Sequence, residues 1–186
     1  MTRQTAGSRV SSDRVYDGRI VKLDVDVVKA PDGSELRLEM VRHPGAAAVV
    51  PLLSDPGADD PSILLIRQYR YAAGGVIWEI PAGVLEPGES PIDCARRELL
   101  EEVGASAREW SHLTTIYTTP GFTDEQIHLF LASGISVGDT QHEIDEFIEV
   151  EARPISQILE MIRTGDIVDG KSITALLFTA GFHLGL

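Results

Sequence analysis

Residues 90–104 specify a helix whose two ends are both written into the sequence, and no other stretch constrains the fold as tightly. Ser90 supplies an N-cap side chain, and Pro91 occupies the first helical position, where a missing N–H does no harm. Asp93 completes a capping box, and Gly104 provides the left-handed stop. At about 100° per residue, Ile92, Ala95, Leu99 and Val103 form one apolar stripe, which is expected to pack into a core. Glu98, Glu101 and Glu102 fall on a separate arc, because positions three and four apart are neighbours on a helix.

An acidic arc is ordinarily a solvated face. Here the like charges oppose one another, and no lysine on the same arc offsets them. Hard divalent cations would do so, and magnesium, which prefers carboxylate oxygens and bridges to phosphates, suits the set better than zinc. The net charge of −13 points the same way. It argues against a protein that tracks a nucleic-acid backbone, and it means that an anionic substrate requires a local reversal of sign.

With 186 residues, 43% of them hydrophobic, the chain is long enough to bury a sizeable core in one compact domain. Residues 19–29 and 35–42 read as a hairpin about the turn Pro31-Asp32-Gly33-Ser34. Buried strands are expected at 46–53 and 62–70, a short strand at 76–80, further strands at 114–118, 126–132 and 147–152, and closing helices at 156–163 and 173–183. Neither a signal peptide nor a membrane span is expected, so the protein reads as cytoplasmic, with no membrane partner. The single cysteine, Cys94, excludes an internal disulfide and reads as a small apolar helix residue.

The segment Gly83-Val84-Leu85-Glu86-Pro87-Gly88-Glu89 followed by Arg97-Glu98-Leu99-Leu100-Glu101-Glu102-Val103-Gly104-Ala105 resembles the Nudix box at every fixed position. The resemblance implies an α/β (α+β) fold, a mixed β-sheet sandwiched between helices with an N-terminal antiparallel β region. The division expected is a flexible N-terminus at 1–12, a β region at 13–43 that serves dimerisation, and a hydrolase domain at 44–186. It further implies that Glu98 and Glu102 bind metal, with Glu101 close by as a further candidate ligand and catalytic carboxylate, and the Ala82 carbonyl completing one shell. Magnesium is the implied ion, with manganese as a substitute. Gly83, Glu89, Arg97 and Gly104 are the structural positions of the box, and Glu89 and Arg97 are expected to hold the loop to the helix by a charge-assisted hydrogen bond.

Trp78-Glu79-Ile80-Pro81-Ala82-Gly83, Arg67-Gln68-Tyr69-Arg70 and Pro120-Gly121-Phe122-Thr123-Asp124-Glu125 resemble the ADP-ribose pyrophosphatase subgroup. The reaction implied is magnesium-dependent hydrolysis of the pyrophosphate of ADP-ribose to AMP and ribose 5-phosphate. By that resemblance Glu125 contacts the terminal ribose, and Arg70 contacts phosphate because a guanidinium forks onto oxygen pairs. In the subgroup a partner subunit brings an Arg-Glu pair to adenine. Glu39 matches the glutamate, but Leu38 stands where the arginine is expected and Arg37, one residue off, points to the other face of a strand, which bears on adenine recognition more than on catalysis; a homodimer is implied by the same resemblance. For the catalytic base, the loop Gln141-His142-Glu143-Ile144-Asp145-Glu146 offers both Glu143 and Glu146, and Glu146 is also a candidate metal ligand. Two other readings stay open: a hydrolase of another nucleotide sugar or dinucleotide, and a nucleotide-sensing Nudix domain without catalysis.

Overall fold

The computed structural model describes residues 7–55, 57–138 and 148–186. The chain divides into two compact units, one formed by Met1–Gly45 with Tyr117–Gln126 and the other by Ala46–Ile116 with Ile127–Leu186.

In the first unit, β1 (Ser8–Asp17), β2 (Lys22–Lys29) and β3 (Glu35–Arg42) form an antiparallel sheet with β2 in the middle. The predicted hairpin is β2 and β3, closed by a turn in which Gly33 has φ 87 and the Asp32 carboxylate accepts the Ser34 N–H at 2.9 Å. The tail expected to be flexible through residue 12 instead carries β1 from Ser8. Its polar, fully exposed sequence lacks the apolar alternation that marks a half-buried strand. It is held by main-chain pairing with β2 and by ions instead. Asp24 and Asp26, two apart and so on one face of β2, are the buried residues of that strand. Arg14 and Arg42 both pair with Asp24, and Arg42 reaches Asp26 as well. Hydrogen bonds from Arg14 and then Arg42 hold the Asp24 carboxyl at about 2.

The second unit holds β4 (Ala46–Pro51), β5 (Ser62–Arg70), β6 (Gly75–Glu79), β7 (Ala82–Val84), α1 (Pro91–Val103), most of β8 (Ala105–Tyr117) and β9 (Gln126–Val137), then β10 (Ile148–Pro154), α2 (Ile155–Thr164) and α3 (Gly170–Thr179). Its strands form two sheets, ordered β10-β5-β6 and β7-β4-β9-β8, joined by a bridge between Leu52 and Ile63. β4 runs parallel to β9 and antiparallel to β7. The sheet is therefore mixed, as expected.

Period-2 alternation sends each strand's apolar residues into two cores. Ala48 and Val50 of β4 with Ile63 and Leu65 of β5 pack with Ile155, Ile158, Ala175 and Leu176 of α2 and α3. Ala47, Val49, Leu64 and Ile66 pack with Cys94, Ala95, Leu99 and Val103 of α1. Strands buried on both faces read as continuous apolar runs, and the layers that result are helix, sheet, helix. Three elements depart from the sequence reading. β7 is only three residues long. β8 begins at Ala105, where Arg108, Glu109 and His112 hide the strand pattern. The last helix begins at Gly170 because Asp169 caps it, accepting the Ser172 N–H at 3.0 Å.

Candidate functional site

The capped helix forms as its sequence dictates. The Ser90 hydroxyl accepts the Asp93 N–H at 3.3 Å and donates to the Asp93 carboxylate at 2.6 Å, and Gly104 ends the helix at φ 65. What the helix buries goes beyond the apolar stripe: Glu98 is 8% exposed and Glu102 3%. Two ionisable carboxylates one turn apart are costly to bury without a positive charge to compensate them.

The short strand β7 lies along α1 and is tied to it residue by residue. The Ala82 N–H donates to Glu102 Oε2 at 2.9 Å, the Gly83 carbonyl accepts from the Cys94 thiol at 3.5 Å, and the Val84 carbonyl accepts from Arg97 Nη2 at 3.1 Å. Gly83 is what lets Glu98 keep this position. A Cβ on it would stand 1.7 Å from Glu98 Oε1, so the missing side chain is the space the Glu98 carboxylate occupies. Burial pushes the Cys94 thiol up to about 12, which leaves it neutral and without a nucleophilic role.

Arg97 organises the loop. Its Nε and Nη2 fork onto the two oxygens of Glu89 at 2.9 and 3.0 Å, and its Nη1 reaches Glu98 at 2.5 Å and Glu101 at 3.1 Å. Glu89 also accepts the Glu86 N–H at 2.9 Å. The Arg97 guanidinium, then that N–H, hold the Glu89 carboxyl at about 2, against an ordinary value of 4.5. A depressed folded value means that this stabilisation is complete above pH 4.5 and is lost as the pH falls toward 2. Glu89→Gln is accordingly expected to show a shallower loss of stability in acid than the parent, read as the difference between their urea midpoints at pH 7, 4 and 3. Parallel curves for the two proteins would refute the assignment.

Glu101 stands apart from its neighbours, with its side chain 42% exposed and its carboxylate on Arg97. Among the described residues, no three His, Cys, Asp or Glu side chains already surround one point as metal ligands. The donor set nevertheless fits a hard divalent cation. Glu98 and Glu102 are oxygen donors on one helix face, buried, and backed by a strand that a glycine brings into contact.

Arg70 ends β5 beside this set. Its Nε and Nη2 fork onto Glu79 of β6 at 2.7 and 2.9 Å, and the Glu102 and Asp169 carboxylates act on it at longer range. Glu79 is 2% exposed and also receives the Lys171 ammonium. Burial alone would raise its carboxyl, but the hydrogen bonds from Arg70 and the charge of Lys171 outweigh that and leave it below the ordinary range. Sequence reasoning missed the roles of Glu79 and Lys171. The available signal was an acidic residue inside the apolar strand Val76-Ile77-Trp78-Glu79-Ile80, which demands a buried cation. The Trp78 ring has the Arg67 and Arg153 guanidinia 5.4 Å from its centroid.

Three candidate residues belong to the first unit. The β2–β3 register sets Arg37 opposite Val27 and Glu39 opposite Val25, so the two share a face that Leu38 does not. Glu125 accepts from the Thr118 hydroxyl at 2.7 Å, with His43 Nε2 at 3.5 Å. Its loop is fixed to β3 through Val41 N–H to the Phe122 carbonyl at 2.7 Å and Arg42 to Asp124 at 3.2 Å. Glu143 and Glu146 lie outside the described residues.

A helix-borne pair of buried carboxylates, backed by a glycine strand and set in a mixed sheet between helices, is a donor set of the kind a hard divalent cation takes. The NUDIX domain model matches residues 42–176, and the chain belongs to the Nudix family. It is 36% identical over 171 residues to the ADP-ribose pyrophosphatase of Bacillus subtilis (strain 168), covering 91% of this chain and 90% of that one. It is 37% identical over 171 residues to the methanol dehydrogenase activator of Bacillus methanolicus, with the same coverage of 91% and 90%. A solved structure described as an ADP compounds hydrolase superposes with a TM-score of 0.81 over 100% of this chain and 98% of that one, and at 19% identity it speaks for the fold. No helix among the described residues is long and apolar enough to cross a membrane.

Proposed function

We propose that this chain hydrolyses the pyrophosphate bond of ADP-ribose to AMP and ribose 5-phosphate, with magnesium as the physiological ion and manganese able to replace it. The observation that carries the reading is the buried carboxylate pair, Glu98 against Gly83 and Glu102 on the Ala82 N–H, in a chain 36% identical over nearly its full length to an ADP-ribose pyrophosphatase.

In this mechanism water attacks one phosphorus in line, the bond from that phosphorus to the bridging oxygen breaks, and the bridging oxygen leaves with the other phosphate. Glu98, Glu102 and the Ala82 carbonyl, with Glu101 nearby, would hold the cation, which supplies positive charge to the diphosphate and acidifies the attacking water. Arg97 and Glu89 keep the loop and helix in one geometry, and Arg70 receives a phosphate oxygen pair. Glu143 takes the proton from water, with Glu146 as the alternative base or an added ligand. Glu125 binds the terminal ribose, while Arg37 and Glu39 of a homodimer partner approach adenine.

The test is incubation of the purified protein with ADP-ribose and magnesium in ordinary and oxygen-18 water, followed by mass spectrometry. Metal-dependent AMP release is expected, with label on a single product. Absence of AMP, together with turnover of another nucleoside diphosphate sugar in a parallel panel, would replace ADP-ribose as the substrate.

A further inference from the structure

Arg70 and Lys171 share one buried carboxylate, and they share it unequally. Glu79 lies at the end of β6 between Trp78 and the fully buried Ile80, and its own side chain is 2% exposed. Lys171 is enclosed, with a side chain 13% exposed, on Glu79 Oε2 and 3.0 Å from Asp169. Arg70 is 42% exposed and meets Glu79 through Nε and Nη2 only, within electrostatic range of Glu102. Asp169 does not need the lysine to the same degree. It caps α3, accepting the Ser172 N–H at 3.0 Å and the Ser172 hydroxyl at 2.6 Å, and the helix N-terminus offsets its charge. Ser172 also accepts the Ile80 N–H at 2.9 Å, so the first turn of α3 is locked to the residue that follows Glu79.

We infer that Lys171 is the resident counterion of Glu79, and that by carrying the charge of that buried carboxylate it leaves the Arg70 charge available to the diphosphate of the substrate. Lys171 is thus a positioning residue acting through Arg70. The physical reason is competition for one anion. A buried carboxylate with a single cation would bind that cation as a closed pair, whereas one already neutralised by an ammonium fixes the plane of the guanidinium through Nε and Nη2 without consuming its charge. The inference rests on the proposal that the site takes a nucleoside diphosphate, whichever one that is.

The experiment uses whichever nucleoside diphosphate sugar the wild type turns over in a panel headed by ADP-ribose, so that failure of ADP-ribose removes that substrate and leaves this inference testable. Lys171→Met is expected to raise KM about tenfold with kcat within about threefold, the size of coupling found between contacting charged groups. Lys171→Arg restores KM. In an Arg70→Gln background, Lys171→Met has no further effect on KM. An unchanged KM, or an equal rise with and without Arg70, overturns the inference, since a lysine that merely stabilises the fold would act independently of Arg70. If Lys171→Met does not fold, Asp169→Asn carries the same test. Asparagine can keep the cap while leaving Lys171 to Glu79 alone, which is expected to lower KM about twofold in the parent and not in Arg70→Gln; equal behaviour in both backgrounds overturns the inference. No turnover of any member of the panel would overturn both readings.

Discussion

Glu102→Gln is expected to lower kcat about a thousandfold at a fixed millimolar magnesium concentration while leaving the melting temperature nearly unchanged, a loss typical of removing one preorganised electrostatic group. The side chain does two separable things. Its Oε2 accepts the Ala82 N–H at 2.9 Å, which ties β7 to α1. It also brings negative charge to a position only 3% exposed. Glutamine is nearly the same shape, and its amide oxygen can still accept from Ala82, so the tie survives and the charge does not. Glu101→Gln is the control, because that carboxylate is 42% exposed and sits on Arg97. Its expected loss is about tenfold or less, because an exposed pair contributes little. Magnesium titrations of both variants alongside the parent decide the matter. Equal losses would mean that burial does not distinguish the two glutamates, and a large fall in melting temperature for Glu102→Gln would mean that its main role is the tie to Ala82.

The helix was legible in full because its information is local. Ser90, Pro91, Asp93 and Gly104 act on their immediate neighbours, and the apolar stripe needs only the helical period. The strands at 46–51 and 62–70 were legible because burial on both faces makes them continuous apolar runs. β1 was not, since Ser8 to Asp17 is exposed throughout and is held by pairing and by the Arg14 to Asp24 contact, a relation between two strands that the pattern of either one alone does not reveal. The site follows the same rule. Glu98 and Glu102 could be placed on one helix face from spacing alone. The reason for Gly83 could not, because it lies in the approach of residue 98 to residue 83. Arg70 was read as a ligand for phosphate, and only the fold shows the same guanidinium on Glu79, with Lys171 arriving from the far end of the sequence.

Gly83→Ala is expected to separate activity from stability in the opposite sense to an ordinary core substitution. Gly83 is not among the glycines with positive φ, so alanine meets no backbone strain there. The obstacle is steric and has one identity: the new methyl would stand 1.7 Å from Glu98 Oε1 and 2.1 Å from Cδ, so the carboxylate must move. It can move because it is the end of a flexible side chain, which keeps the cost in stability to about 1 kcal/mol. The functional cost is larger, since a displacement of about 1 Å in a catalytic group is worth about a hundredfold in rate. Gly88 supplies the converse case. It has φ 83 and open space where a Cβ would go, so Gly88→Ala meets backbone strain with no side chain to displace. The expected pattern is a fall in kcat of about a hundredfold with little change in urea midpoint for Gly83→Ala, and a lowered midpoint with most activity kept for Gly88→Ala. If Gly83→Ala lost stability and kept its rate, Glu98 could not be where the chemistry needs it, and the carboxylate site would have to be assigned to other residues.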